Sequence, residues 1–248
     1  MTTVFDDIEW GEGRFLLRDA VFSTDPFGSV TANHVDVDSF TLFKGPPFIE
    51  LYRTFFDSVP LRPERILELG LWHGGSLAFW AGLFNPEKIV GIDGATRGDS
   101  PYFRNWIASR GLGDRVRTHW GVDQGDGATL RRIVAEEFRG APLDLVIDDC
   151  SHMFVPTKAS FEALFPCLRV GGFYIIEDWN LASSKIVDPS GELHLVDFVE
   201  SLVRAAADTE RGLVRSLTLN GAFVAVQRGS VAIDDAAVFD LDDFTCIG

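Results

Sequence analysis

From residue 65 onward, short apolar runs alternate with longer amphipathic stretches, and no other feature constrains the fold as tightly. Strands are expected at residues 65–69, 88–93, 116–120, 143–148 and 172–177. Helical stretches at 75–84, 102–110, 129–138 and 153–168 separate them. Parallel neighbours need a crossover connection, so this alternation builds a parallel sheet covered on both faces. After a helix around 194–207, two more strands are expected at 214–220 and 222–227. They are joined only by Asn220-Gly221, a tight-turn pair that makes them a hairpin. The reading is an α/β chain with a seven-stranded, mostly parallel sheet that ends in an antiparallel hairpin.

Two of the apolar runs end abruptly in acid. Val146-Ile-Asp-Asp-Cys-Ser-His-Met153 brings Asp148, Asp149 and His152, and Tyr174-Ile-Ile-Glu-Asp-Trp179 brings Glu177 and Asp178. A buried strand has no use for such exits unless something there needs charge. Neighbouring strands lie about 4.8 Å apart, so side chains leaving two adjacent ends can share one ion. Helix capping by Asp148, Asp149 and Ser151 is the plainer alternative, but it leaves His152 unexplained. An all-oxygen set suits Mg²⁺, with Asp149, Glu177 and Asp178 as ligands and Asp148 turned either to the metal or to a cofactor. His152 follows Asp149 by three residues, so in the first turn of a helix both would face one space, the imidazole as general base. Cys150, among acids, is a poor nucleophile because negative charge suppresses its thiolate.

Glu68-Leu-Gly-Leu-Trp-His-Gly-Gly-Ser76 sits where the first of these strands should turn into a helix. Gly70 permits a tight turn, and Gly74 and Gly75 let a ligand approach the helix start without a Cβ in the way. Asp93 ends the next strand, where an acid can accept both ribose hydroxyls. A dinucleotide site wants Gly-x-Gly-x-x-Gly around a pyrophosphate. Here the pattern is Gly-x-x-x-Gly-Gly, and Glu68 would repel a pyrophosphate. An acid there suits the cationic amino-acid part of S-adenosylmethionine, which is favoured over NAD.

These segments, with Gly91-Ile-Asp93 and Asp123-Gln-Gly-Asp126, resemble the class I S-adenosylmethionine-dependent methyltransferases. The resemblance is specifically to the macrocin- and mycinamicin-type sugar O-methyltransferases, with cephalosporin-hydroxylase-like relatives, and it spans residues 66–178 in family order. It implies a Rossmann-like class I fold. It also implies that Glu68 and Gly70 flank the methionine part, Asp93 the ribose, and Asp123 and Gln124 the adenine edge, with Gly74, Ser76 and Asp148 also on the cofactor side. Cys150 stands where relatives often carry glycine. The implied chemistry is Mg²⁺-dependent methylation of a sugar hydroxyl on a glycosylated small molecule. Metal activation would make the hydroxyl a better acid, and His152 would take its proton. A non-sugar hydroxyl, or a non-catalytic S-adenosylmethionine-binding module, remains the alternative. No Gly-x-Ser-x-Gly elbow supports a serine esterase.

Residues 1–47 fall outside the repeat. They are rich in Phe, Asp, Gly and Thr and are broken at Asp25-Pro26 and Gly45-Pro46-Pro47, with a helix expected at 48–58. Their phenylalanines argue for docking, as an N-terminal arm or a lid over the active site ahead of a methyltransferase domain at 48–248. With 46% apolar residues in 248, one full core is expected. A net charge of −15 argues against nucleic acid and anionic membranes as partners. No signal segment or membrane-length apolar run is read, and three sparse cysteines, Cys150, Cys167 and Cys246, fit a reduced cytoplasmic protein. The expected partner is a small-molecule glycoside, and the resemblance allows a homo-oligomer assembled through the N-terminal region.

Overall fold

The computed structural model describes residues 3–24, 36–180, 194–233 and 239–245; Cys246 lies outside them. The N-terminal part forms a small sheet in the order β1 (Ile8–Gly11), β2 (Arg14–Leu17), β3 (Ala20–Ser23), β4 (Phe40–Thr41). The first three strands are antiparallel, and β4 joins β3 in parallel, with Phe22 opposite Phe40. Helix α1 (Pro46–Ser58) follows, its two prolines, Pro46 and Pro47, sitting at the helix start, where a missing N–H costs nothing.

The main sheet has seven strands in the order β10-β11-β9-β8-β5-β6-β7. These are β5 (Arg65–Leu69), β6 (Lys88–Asp93), β7 (Val116–Trp120), β8 (Leu143–Asp148), β9 (Leu168–Glu177), β10 (Val214–Leu219) and β11 (Phe223–Arg228). Between them run α2 (Gly75–Phe84), α3 (Pro101–Ser109), α4 (Gly127–Phe138), α5 (Phe154–Leu164) and α6 (Leu195–Ala207). From β5 the chain builds outward to β7, then returns to β8 on the other side of β5. Such a reversal opens a crevice beyond the carboxyl ends of the central strands. Strand β11 runs antiparallel to β10, as the Asn220-Gly221 turn requires, and also antiparallel to β9 on its other side. The Asn220 side chain accepts from the amides of Ala222 and Phe223 and fixes that turn.

Element ends move for identifiable reasons. Ser100 and Asp126 accept hydrogen bonds from the amides of Phe103 and Thr129, so α3 and α4 each begin one or two residues earlier than expected. Helix α5 stops at Leu164, and a short 3₁₀ turn (Phe165–Cys167) leads directly into β9, which starts at Leu168 rather than 172.

Alternation along each strand splits the core between the two faces. Ile66, Ile89, Ile147, Ile175 and Phe223 face the arm, α1, α2 and α3. Leu67, Val90, Val146, Tyr174 and Val224 face α4, α5 and α6. The arm shares the first of these cores. Phe15 stacks on Phe22 at 4.9 Å, both meet Phe79 of α2 edge-on, and Phe40 meets Phe103 and Trp106 of α3. Among the described residues, no helix is long and apolar enough to cross a membrane.

Arm and body backbone come close at Gly75, where an added Cβ would lie 2.0 Å from the Thr41 carbonyl oxygen. Gly75→Ala raises intrinsic helix propensity by about 1 kcal/mol, yet here it should destabilise by roughly 1–3 kcal/mol through overpacking against backbone. The check is a lowered melting temperature together with faster tryptic cleavage after Arg14 and Arg18.

Candidate active site

Strand alternation continues past the sheet and sorts the acids. Glu68 shares a face with Ile66, and Glu177 with Ile175, so both point toward the arm and α1. Asp148 shares the opposite face with Val146 and points under α5. Its carboxylate accepts from Gln124 Nε2 at 2.8 and 2.9 Å, from Ser160 Oγ at 2.9 Å and from the Tyr174 hydroxyl at 2.7 Å. Burial pushes Asp148 up to about 6 against these hydrogen bonds. Gln124 is buried and also accepts from the Ser151 amide, tying the exit of β7 to that of β8. Asp123, beside it, is exposed and accepts from the Gly125 amide.

On the arm side, a lysine that the sequence reading did not single out fills the centre of the cluster. The ammonium of Lys44, 2% exposed, lies 2.7 Å from Asp149 Oδ2 and 2.6 Å from Glu177 Oε2. The Tyr52 hydroxyl donates to the other Glu177 oxygen at 2.7 Å. Burial works to lower the pKa of Lys44, but Asp149, Glu177 and Glu68 outweigh it and raise the value. Strand β4 delivers Lys44 over the start of α2, and Gly45-Pro46 then turns the chain into α1. A lone cation in the apolar stretch Phe40-Thr-Leu-Phe-Lys44, in a chain with so many acids at strand exits, was the available signal.

Farther out, Asp149, His152 and Asp178 each bring one ligand atom to within 4.8 Å of the others. The Nε2 atom of His152 lies 3.8 Å from Asp149 Oδ1, the oxygen not used by Lys44. Glu177 is not in this group; its two oxygens are on Lys44 and Tyr52. His152 precedes α5 rather than opening it, and its proximity to Asp149 comes from a left-handed backbone (φ 55°). Asp178 is also left-handed (φ 51°), held by its amide donating to the Ala222 carbonyl. Left-handed residues other than glycine are uncommon and concentrate at functional sites. Burial, then Asp149, raise the Asp178 carboxyl above its usual range. Burial and the nearby Asp148 push the Cys150 thiol up, consistent with an unreactive side chain.

The glycine loop lies next to this cluster. Gly70, at φ +89°, passes so close to β8's exit that a Cβ would meet the Asp149 carbonyl oxygen at 2.0 Å. Gly74, at φ +87°, closes the loop by donating to the Leu71 carbonyl. Asp93 accepts from the Leu71 and Trp72 amides with one oxygen and from the Ala95 amide with the other. A carboxylate offers about four acceptor positions, so roughly one remains for a ligand. Glu68 is fully buried. Its Oε1 accepts from Ser76 Oγ and from Trp80 Nε1, while Oε2 has no partner among the described residues. Burial pushes this carboxyl up to about 8. Trp72 meets Phe43 of the arm edge-on at 5.3 Å and carries Arg97 over its ring at 4.7 Å. Trp179 instead anchors to the hairpin turn through the Asn220 carbonyl.

Residues 67–179 match the family described as Methyltransferase domain. The chain is 36% identical over 171 residues to a tetracenomycin-C rhamnosyl 3'-O-methyltransferase of Streptomyces olivaceus, covering 66% of this chain and 39% of that one. It is 38% identical over 140 residues to mycinamicin VI 2''-O-methyltransferase of Micromonospora griseorubida, covering 53% and 31%. Among solved structures, the MycE methyltransferase of mycinamycin biosynthesis, in complex with Mg, SAH and mycinamycin VI, superposes with a TM-score of 0.56 at 29% identity. That match covers 73% of this chain and 49% of MycE, so the chain spans half or less of the length of these relatives. Residues 67–179 thus carry the match to a methyltransferase domain within a class I methyltransferase fold, and the chain resembles the macrocin- and mycinamicin-type sugar O-methyltransferases.

Proposed function

We propose that the chain transfers the methyl group of S-adenosylmethionine to a hydroxyl of a sugar on a glycosylated natural product, in an Mg²⁺-dependent reaction. The observation that carries this reading is the convergence of Asp149, His152 and Asp178 beside the glycine loop, two of the three in left-handed backbone. The names of the relatives support the sugar as acceptor, and the Mg and SAH bound to MycE support the cofactors.

The residues fit both groups. Glu68, with a buried and unpartnered oxygen, would accept from the ammonium of the methyl donor, and Ser76 orients that carboxylate. Gly70 and Gly74 shape the loop around the methionine part. Asp93 would give its remaining acceptor position to the ribose while it holds the loop amides, and Asp123 lies at the exit of β7 toward the adenine edge. Gln124 and Asp148 act from behind, as a buried brace between the two strand exits. Asp149 and Asp178 would hold Mg²⁺, with Glu177 as the third carboxylate when it is not on Lys44. When bound, Mg²⁺ supplies Lewis-acid activation of the acceptor hydroxyl and holds the sugar in register. His152 takes the hydroxyl proton, and the left-handed turn at residue 152 aims its ring at the space it shares with Asp149 and Asp178.

Transfer of label from S-adenosylmethionine to a panel of rhamnosylated and other deoxysugar glycosides tests the reading; labelling of aglycones alone, or of nothing, would sink it. His152→Ala should lower kcat by about 10²–10⁴-fold, the usual contribution of a general base, with S-adenosylmethionine affinity nearly unchanged by calorimetry. EDTA should abolish turnover and Mg²⁺ restore it, whereas Asp149→Ala should stay inactive at moderate Mg²⁺.

Glu68 yields a pH signature. Its folded pKa of about 8 exceeds the ordinary 4.5, so the folded state holds the proton more tightly than the unfolded chain. Stability from this group is full below 4.5 and is lost as pH rises toward 8. Between pH 8 and pH 7 the ligand-free protein should gain roughly 1 kcal/mol, or about 2–4 °C in Tm. Glu68→Gln should flatten that slope. In the unaltered protein, S-adenosylmethionine binding at pH 7 should release a proton, read by calorimetry in buffers of different ionisation heat.

A further inference from the structure

The cation seated in the acid cluster belongs to the chain itself. Lys44 is almost completely buried, and it faces Asp149, Glu177 and Glu68 together. Asp149 is split between two directions, Oδ2 toward Lys44 and Oδ1 toward His152. Glu177 is held away from the outer group by Lys44 on one oxygen and Tyr52 on the other. Of four acids at these two strand exits, only Asp149 and Asp178 therefore join the group of ligand atoms. We propose that Lys44 is a tethered competitor of the metal, which occupies Asp149 and keeps Glu177 out of the ligand set, so that the N-terminal arm sets the metal affinity.

This inference rests on the metal reading of Asp149 and Asp178, and its sign separates it from a scaffold role. A divalent ion that enters beside Asp149 meets the repulsion of a nearby ammonium in a poorly solvated place. With a neutral side chain at position 44, that repulsion disappears, Asp149 offers both oxygens, and Glu177 loses its counter-ion and can turn to the metal. Affinity then rises. If Lys44 only positioned Asp149 for the metal, the same substitution would lower affinity. The competitor is also mechanically linked to the cofactor loop, because the preceding residue, Phe43, packs edge-on against Trp72.

The test measures Mn²⁺ binding by electron paramagnetic resonance on the full chain, the unaltered protein beside Lys44→Met, Lys44→Gln and Asp149→Asn. The expected result is binding to the unaltered chain, its loss in Asp149→Asn, and binding at least about tenfold tighter in both Lys44 variants. Adding Glu177→Gln to Lys44→Met should remove part of that gain. Equal or weaker binding by folded Lys44 variants overturns the competition while leaving the metal reading intact. No binding to any of the proteins overturns the metal reading and this inference with it. A second measurement needs no variant, since the chain has only four lysines. Amine acylation followed by mass spectrometry should find Lys44 protected without Mn²⁺ and modified once Mn²⁺ is added. Protection unchanged at saturating Mn²⁺ overturns the proposal even where the variants fail to fold.

Discussion

One ammonium among three carboxylates decides how the carboxyl ends of the central strands are arranged. Glu68 and Glu177 are 0% and 1% exposed, and an isolated buried carboxylate carries a desolvation penalty of several kcal/mol. Lys44 offsets part of it with two charge-assisted contacts, and Tyr52, Ser76 and Trp80 satisfy further oxygens. A buried ion pair of this kind is weak as a source of net stability and strong as a device for register. It specifies where the arm must lie. The arm's phenylalanines then supply the apolar burial that keeps the lysine backbone in place.

The main sheet was legible because its signals are local. Apolar runs, amphipathic spacing and an Asn-Gly pair each act within a few residues, and β5 to β8 fall where those signals place them. The arm was not legible in the same way. Its strands β1 to β3 are four residues each, turned at Gly13 (φ 63°) and Arg18 (φ 57°), and only packing on α2 and α3 gives them definition. The sequence supported docking through phenylalanine but not a four-stranded sheet.

Legibility of the site stopped where partners are distant in sequence. Four acids at two adjacent strand exits pointed to one shared cluster. Period-two counting already separates Asp148 from its neighbour Asp149, and the structure follows the count: Asp148 serves the brace of Gln124, Ser160 and Tyr174 on the other face. Glu177 was drawn away by Lys44, whose contacts lie 105 and 133 residues off and leave no local pattern to read. Asp93 gives the opposite lesson. An acid in that position was read for its ribose, yet most of its capacity goes to three backbone amides, so it shapes the loop before any ligand arrives.

The near-contact of Gly70 with the Asp149 carbonyl has an evolutionary consequence. Two loops share a single van der Waals boundary: one is the glycine loop after β5, the other carries Asp149 and His152 after β8. Neither can lengthen, shift or accept a side chain at its apex without displacing the other. Drift in these two segments is therefore confined, and divergence has room only elsewhere in the chain. The arm, which touches both segments through Phe43 on Trp72 and Lys44 on Asp149 from a separate stretch of chain, is no part of that backbone boundary and is the natural place for such divergence.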